Sequence, residues 1–311
     1  MKKITAILLC AALMFALAGC TAGSGNTGNS TDDQPPAPVK KLEKASLQIA
    51  EKDWPIVDGA TAFLPYYENM AALMLNKPVE EARQYVYCST TDYAYPKLAD
   101  GDVDIVFCLR PSDDQTAYAK GKNVEFECVP YANEAFVFFV NKNNPVDSLT
   151  VQQLHDIYAG KITNWKEVGG NDQEIIAYQR SEGSGSQTGL YLHVIKQSEV
   201  MQPPTEKRIA TMGEIVDVVA NYDNAPGGLG YSYLYFVTNQ HFDEDIKLLK
   251  IEGIEPSNAN VSAKKYPLIS EVCAVFRNYE PEGSLVRQIA AWCVSDEGQQ
   301  LAAEQGYVGI K

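Results

Sequence analysis

Apolar and polar positions along the chain predict strands that are each followed by a helix. Short apolar runs end in glycine or hydroxyl residues, and segments with apolar residues at helical spacing come next. In the first series the predicted strands are 55–61, 86–88 and 103–108, and the predicted helices are 62–75 and 93–99. This alternation favours parallel strands covered by helices, which is an α/β fold.

A second series of the same kind starts at the continuous apolar run 135–140. Its predicted strands are 135–140, 175–178, 227–231, 247–251 and 269–276, and its predicted helices are 154–158, 187–195, 212–219, 286–294 and 298–304. No segment repeats at a fixed period, so two similar α/β halves are predicted. Ligands bind at the carboxyl ends of parallel strands, where the turns at Thr61 and at 89–91 are expected.

The N-terminal segment has a different pattern. Lys2 and Lys3 precede an apolar run at 4–17 that is too short to span a membrane, and Leu-Ala-Gly-Cys ending at Cys20 resembles a bacterial lipobox. We therefore predict a signal peptide at 1–19 and lipid attachment at Cys20. The polar stretch 20–44, rich in Gly, Ser, Asn, Thr, Asp and Pro, is predicted to be a flexible tether.

Charge narrows the choice of partners. The formal net charge is -14, and removal of Lys2 and Lys3 with the signal peptide takes the mature form to about -16. So acidic a protein is a poor ligand for nucleic acid or for an anionic membrane surface. The negative net charge does not exclude a small anion as ligand, because binding of a small anion depends on the hydrogen-bond donors in its immediate surroundings.

Five cysteines remain after Cys10 leaves with the signal peptide and Cys20 takes lipid. They are Cys88, Cys108, Cys128, Cys273 and Cys293. Their scattered spacing includes no CxxC pair of a zinc or redox site. The sequence favours buried free thiols, and one disulfide between two of these cysteines is the alternative.

The segment 180–188, Arg-Ser-Glu-Gly-Ser-Gly-Ser-Gln-Thr, carries the strongest indication of chemistry. It lies between a predicted strand and a predicted helix, so backbone N–H groups without helical partners point outward at its turn. Such a helix start attracts anions, and Arg180 adds donors that hold two oxygens at once. The alternative is an ordinary strand-to-helix turn with a surface arginine.

Several segments together resemble the lipid-anchored phosphate-binding proteins of bacterial ABC importers. The segments that carry the resemblance are 58–61, 154–165, 180–186, 228–231 and 292–307. The resemblance implies a two-lobed periplasmic-binding-protein-like fold of type II, with a mostly parallel sheet in each lobe and the ligand cleft between them. Lobe 1 would contain 45–132 and 265–311, and lobe 2 would contain 133–264.

The resemblance also implies a function. A monomer, attached by lipid to the outer face of the cell membrane, would bind inorganic phosphate or a related oxyanion without a cofactor or metal. It would then deliver the anion to the membrane subunits of an ABC permease. The two lobes would close on the anion and hold it without any covalent change, so no enzyme activity is implied.

Site residues follow from the same resemblance. The implied phosphate ligands are Thr61, Ala62, Thr90, Thr91, Arg180, Ser184, Gly185 and Ser186, with Thr91 favoured over its hydroxyl neighbours. Glu182 falls where the family has an aspartate that steadies the arginine. The family's aspartate that accepts the proton of hydrogen phosphate falls on Leu109, and Glu134 is a hypothetical substitute.

Other function classes have weaker support in the sequence. The three histidines lie in unrelated segments, and 182–186 has the wrong order for a GxSxG nucleophile turn, so a secreted phosphatase or esterase is disfavoured. The acids at 113–114 and 243–245 lack the alternate spacing of a calcium loop and are interpreted as solvated. Abundant tyrosine in the first lobe leaves open a sugar or peptide clamp, or an adhesion or sensory module, on the same fold. A binding protein or sensor of this fold for a sulfate-like anion or a small organic solute is the other alternative.

Overall fold

The structure is a computed structural model that describes residues 41–203, 207–221 and 227–311. The predicted signal peptide at 1–19, the lipidation site Cys20 and nearly all of the tether at 20–44 lie outside these residues. The strands are β1 (Val57–Gly59), β2 (Ile105–Leu109), β3 (Phe126–Asn141), β4 (Ser148–Leu149), β5 (Ile176–Ala177), β6 (Gln179–Arg180), β7 (Arg208–Ile209), β8 (Gly228–Tyr233), β9 (Ile246–Leu248), β10 (Lys250–Ile251), β11 (Ile269–Arg277) and β12 (Val308–Gly309).

The helices are α1 (Leu64–Leu75), α2 (Val79–Ala82), α3 (Thr91–Asp100), α4 (Asp113–Gly121), α5 (Val151–Tyr158), α6 (Gly185–His193), α7 (Met212–Ala220), α8 (Asn258–Ser262), α9 (Leu285–Cys293) and α10 (Asp296–Glu304). Most begin at a hydroxyl side chain that accepts a hydrogen bond from a first-turn amide. The capping residues are Ser112, Thr150, Ser184, Thr211, Ser257, Ser284 and Ser295. Local sequence therefore sets where these helices start.

The central sheet has the strand order β1-β2-β11-β3-β8-β5, and β9 and β12 also pair with β3. The α/β fold is confirmed, but pairing directions are mixed. The β1–β2 and β5–β8 pairs are parallel, whereas β11 runs antiparallel to β2 and β3, and β3 runs antiparallel to β8. Within the central sheet, the expectation of mostly parallel strands therefore holds only for the outer pairs, although the two-stranded sheets β4–β10 and β6–β7 are both parallel.

Strand β3 joins two parts of this sheet. Its first part, 126–135, pairs with β11, and its second part, 136–140, pairs with β8. The predicted strand at 135–140 is thus the buried second half of a much longer one. The lobe boundary predicted between residues 132 and 133 falls inside β3 and stays a prediction.

Two local predictions are corrected. The predicted strand at 86–88 is reduced to one bridge, between Val86 and Val57. Asp113 and Asp114, interpreted as solvated loop acids, are exposed as predicted, but they occupy the first turn of α4 and not a loop. Carboxylates are favourable there because they face the positive end of the helix dipole.

Buried side chains form one large apolar core around the central sheet. Of the tyrosines gathered in the first lobe, Tyr66, Tyr67 and Tyr95 are buried, whereas Tyr87 and Tyr93 are exposed. All five cysteines after residue 40 are free thiols, of which only Cys88 is exposed. No helix within the described residues combines the length and hydropathy needed to cross a bilayer.

Candidate functional site

All eight residues predicted to bind the anion line a single cavity of about 500 Å³. They come from four separate segments, at the ends of β1 and β6 and at the first turns of α3 and α6. We call residues 180–186 the arginine wall, and residues 60–62 and 90–92 the threonine wall. The two walls are far apart in sequence and become neighbours only in the folded chain.

Arg180 is buried and held by main-chain oxygens. Its Nε donates to the Ile209 carbonyl at 3.0 Å, and its Nη2 donates to the Ala210 carbonyl at 2.9 Å. Its backbone N–H is shared between the Gln187 Oε1 and the Tyr231 hydroxyl, at 2.8 and 2.9 Å. The third guanidinium nitrogen, Nη1, is buried and has no hydrogen-bond partner among the described residues.

Burial lowers the pKa of the Arg180 guanidinium. Desolvation disfavours the charged form of the guanidinium. A negative charge that enters the cavity would favour the charged form again and raise the pKa. The described surroundings supply no direct ion pair to this group, since its two bonded nitrogens face neutral carbonyls. Arg180 is therefore a cation prepared for an anionic ligand.

Helix α6 begins inside the cavity. The Ser184 hydroxyl caps it by accepting from the Gln187 amide at 3.2 Å, and no described residue accepts the amide hydrogens of Gly185 and Ser186. The Ser186 hydroxyl is also buried and without a partner in the described part of the chain. Two amides, one hydroxyl and the positive end of the helix dipole, the groups that favour an anion at a helix start, thus lie next to Arg180.

The threonine wall faces this helix start at close range. Thr91 is the first residue of α3 and is buried, and a Cβ added to Gly185 would lie 2.8 Å from the Thr91 Oγ1. Only glycine tolerates that approach. Thr90 has φ 70° and ψ 163°, a backbone conformation that non-glycine residues rarely adopt and that is concentrated at functional sites.

A buried carboxylate supports the threonine wall from behind. Asp58, which has no exposed surface, accepts from the Ser89 amide at 2.8 Å and from the Ser89 hydroxyl. Lys97 lies 3.6 Å from the same carboxylate and donates to the Ser89 hydroxyl at 2.8 Å. These bonds fix the turn that leads into Thr90 and Thr91.

Two predicted carboxylate roles disagree with the geometry. Glu182 accepts from the Tyr191 hydroxyl at 2.9 Å and lies 3.9 Å from Arg208, so it pairs away from Arg180. Main-chain carbonyls steady the arginine instead.

Glu134 is absent from the cavity lining. Its Oε1 accepts from the backbone amides of Ala135 and Tyr235, both at 3.1 Å. Burial raises the pKa of this carboxyl to about 8. A fully buried group bonded to backbone amides outside the cavity is not placed to accept a proton from a ligand there.

Sequence reasoning missed the carboxylate that does line the cavity. Asp92 accepts from the Ser181 hydroxyl at 3.2 Å, and its other oxygen is buried without a partner in the described residues. Burial raises the pKa of Asp92. Its position directly after Thr91 was the one sequence feature that pointed to a place at the site. The sequence could not show that Asp92 is partly buried, because the burial depends on the distant residues Ser181 and Gly183.

Within the described residues, no three His, Cys, Asp or Glu side chains group as a metal site would require. The donors at the cavity are instead a guanidinium, amides and hydroxyls. These groups favour an oxyanion over a cation.

Curated proteins similar to this chain are phosphate-binding proteins. The phosphate-binding protein PstS of Bacillus subtilis (strain 168) is 25% identical over 314 residues, which is 99% of this chain and 94% of that protein. Its namesake in Staphylococcus aureus (strain USA300) is 24% identical over 301 residues, or 94% of this chain and 83% of that protein.

Solved structures share the fold. A substrate-binding protein from Clostridium perfringens with bound phosphate has a TM-score of 0.65 at 24% identity, covering 83% of this chain and 99% of its own. An ABC-type phosphate transport receptor from Vibrio cholerae has a TM-score of 0.61 at 22% identity, covering 82% and 99%. The family model described as PBP superfamily domain matches residues 56–297, and the chain therefore belongs to the PBP superfamily.

Proposed function

We propose that this protein is a non-enzymatic solute-binding protein that captures a phosphate-type oxyanion. The observation that carries the proposal is the pair of buried donors without partners, Arg180 Nη1 and the Ser186 hydroxyl, in one cavity with Thr61 and Thr91. Buried donors without acceptors are costly in a folded protein. A tetrahedral anion would supply acceptors to both walls at once.

The available donors are sufficient for useful affinity. A micromolar Kd requires about 8 kcal/mol, and a hydrogen bond to a charged group contributes about 1.5–3 kcal/mol net. Arg180 Nη1, the two free amides of α6, the Ser186 hydroxyl and a threonine hydroxyl would therefore reach this range before the costs of ordering are subtracted. No covalent step is needed.

The transport role rests on the relatives. The proteins that resemble this chain are described as phosphate-binding proteins or as phosphate transport receptors. We place this chain in the same role, as an extracytoplasmic component that hands its anion to an ABC permease. The lipobox-like sequence at Cys20 supports attachment of the protein to the membrane by lipid.

Asp92 is our candidate for discrimination between protonated and unprotonated anions. A carboxylate with a free oxygen can accept a hydrogen bond from the protonated oxygen of hydrogen phosphate, whereas sulfate has no proton to donate at neutral pH. We expect Asp92→Asn to narrow the preference for phosphate over sulfate in competitive titrations at pH 7. An unchanged preference would exclude Asp92 from this role.

Isothermal titration with inorganic phosphate tests the binding function directly. We expect binding without turnover of a chromogenic phosphate ester, and a loss of at least a hundredfold in affinity for Arg180→Met, because a desolvated anion would lose its counter-charge. Arg208→Met is the matched control, since Arg208 lies in β7 near Glu182 and does not line the cavity. Phosphate affinity that survives Arg180→Met would discard the site.

A further inference from the structure

We infer that the ligand is a phosphorus oxyanion with an organic substituent, R–PO₃ or R–O–PO₃, whose apolar group lies against Leu109. The inference rests on the proposed function and names the class of anion that the same cavity accepts. It follows from the uneven distribution of donors around the cavity, the character of the wall that faces them, and the space available.

The free donors are concentrated on one side of the cavity. Arg180 Nη1, the Ser186 hydroxyl and the first amides of α6 all belong to the arginine wall. On the threonine wall, Thr91 adds a hydroxyl within close range of Gly185. These groups serve three oxygens of a tetrahedral anion from two adjoining directions.

Leu109 places an apolar side chain directly beside these donors. Leu109 ends β2 and is 6% exposed, and its Cδ1 lies 3.9 Å from where a Cβ on Gly185 would be. Phe63 and Phe236 also line this cavity. The Tyr233 hydroxyl is already used, because it donates to the Gly185 carbonyl at 3.1 Å.

A fourth oxygen directed at this apolar surface would lose its water without gaining a partner. A carbon or ester substituent loses nothing there and gains contact with the leucine side chain. The chemistry of the wall therefore favours a substituted anion over inorganic phosphate at this position.

The cavity also has room for a substituent. Its volume of about 500 Å³ is far more than five heavy atoms require, given that a whole water molecule occupies about 30 Å³ in the liquid. A second cavity of about 410 Å³ also touches Leu109 and Tyr233, but its lining includes the charged residues Arg110, Lys264 and Glu271. The substituent that we infer is therefore a short one that fits within the first cavity, beside Leu109.

Titration calorimetry on the full chain tests the inference with four ligands: inorganic phosphate, methylphosphonate, butylphosphonate and butyl phosphate. We expect butylphosphonate or butyl phosphate to bind at least as tightly as inorganic phosphate, and the stronger of the two identifies the linkage. If inorganic phosphate binds and both butyl ligands are more than tenfold weaker, the inference is overturned while the proposed function stands. If none of the four binds, the proposed function itself fails.

Two substitutions at Leu109 locate the substituent. Leu109→Phe fills the apolar wall and should weaken butyl ligand binding at least tenfold, with inorganic phosphate changed less than threefold. Leu109→Asp should disfavour the butyl ligands more strongly, and circular dichroism shows whether this variant folds. Ile310→Asp, which changes an exposed residue outside both cavities, is the matched control. Equal losses for phosphate and butyl ligands in Leu109→Phe would contradict the assignment.

Discussion

The arginine wall and the threonine wall contribute to the cavity by different means. The arginine wall presents charge and free donors, and its supporting bonds come from main-chain carbonyls and a helix cap. The threonine wall presents hydroxyls on a backbone in a rare conformation, and a buried Asp58 supports it. We therefore propose that the arginine wall determines how strongly an anion is held, and that the threonine wall determines its fit.

After the loss of at least a hundredfold expected for Arg180→Met, the next largest effect should come from the contact between the walls. In Gly185→Ala the new methyl group would lie 2.8 Å from the Thr91 Oγ1, so the walls must separate. Overpacking costs about 1–3 kcal/mol, and if the bound state carries that cost, phosphate affinity measured by calorimetry should fall about fivefold to about 150-fold. Gly121→Ala is the control, because a Cβ there meets nothing within 4 Å. Equal affinities in both variants would show that the walls need not touch.

Removal of a donor from the arginine wall should come next. Ser186→Ala deletes a buried hydroxyl that has no partner in the described residues, so the stability of the free protein should stay the same or rise. Phosphate affinity should fall about tenfold, because a bond to a charged ligand is lost. Ser184→Ala differs, since loss of the cap should lower the free energy of unfolding by about 1 kcal/mol. A stability loss in Ser186→Ala would contradict the distinction.

Weakening the support of the threonine wall should have a smaller effect on binding. Asp58→Asn keeps the shape of the side chain but weakens its bonds to the Ser89 turn, so we expect a severalfold loss of phosphate affinity. The free energy of unfolding should also fall by about 1–3 kcal/mol. Asp53→Asn, at an exposed residue paired with Lys52, is the control. Lower stability with unchanged affinity, measured well below the unfolding midpoint, would make Asp58 a purely structural residue.

The smallest effect on binding is expected at Glu134, which neither wall includes. Its folded pKa is about 8 against an ordinary value of 4.5, so the protonated form is favoured on folding. The stabilisation is fully present below pH 4.5 and is lost as pH rises through about 8. Chemical denaturation between pH 5 and 9 should therefore show a decline that Glu134→Gln reduces, with phosphate affinity unchanged. Glu80→Gln, at an exposed position in α2, should leave the decline in place.

Local pattern was enough to predict the parts of the site that depend on local chemistry. The turn before α6, Arg180 and the hydroxyls before α3 follow from residue types at the ends of strands and the starts of helices. The antiparallel directions of β3 and β11 did not follow, because an apolar run carries no information about its neighbour's direction. The surroundings of Asp92 and Glu134 also escaped prediction, since distant segments bury both carboxyl groups.

The anchoring of Arg180 by the carbonyls of Ile209 and Ala210 has a consequence for how the site responds to acidity and to mutation. A peptide carbonyl does not titrate at physiological acidity, and side-chain replacement leaves it in place. The orientation of the guanidinium should accordingly persist across a wide range of acidity and across substitutions at these two positions. Changes in anion preference among related sequences would then arise at the surrounding side chains, while the charged anchor stays constant.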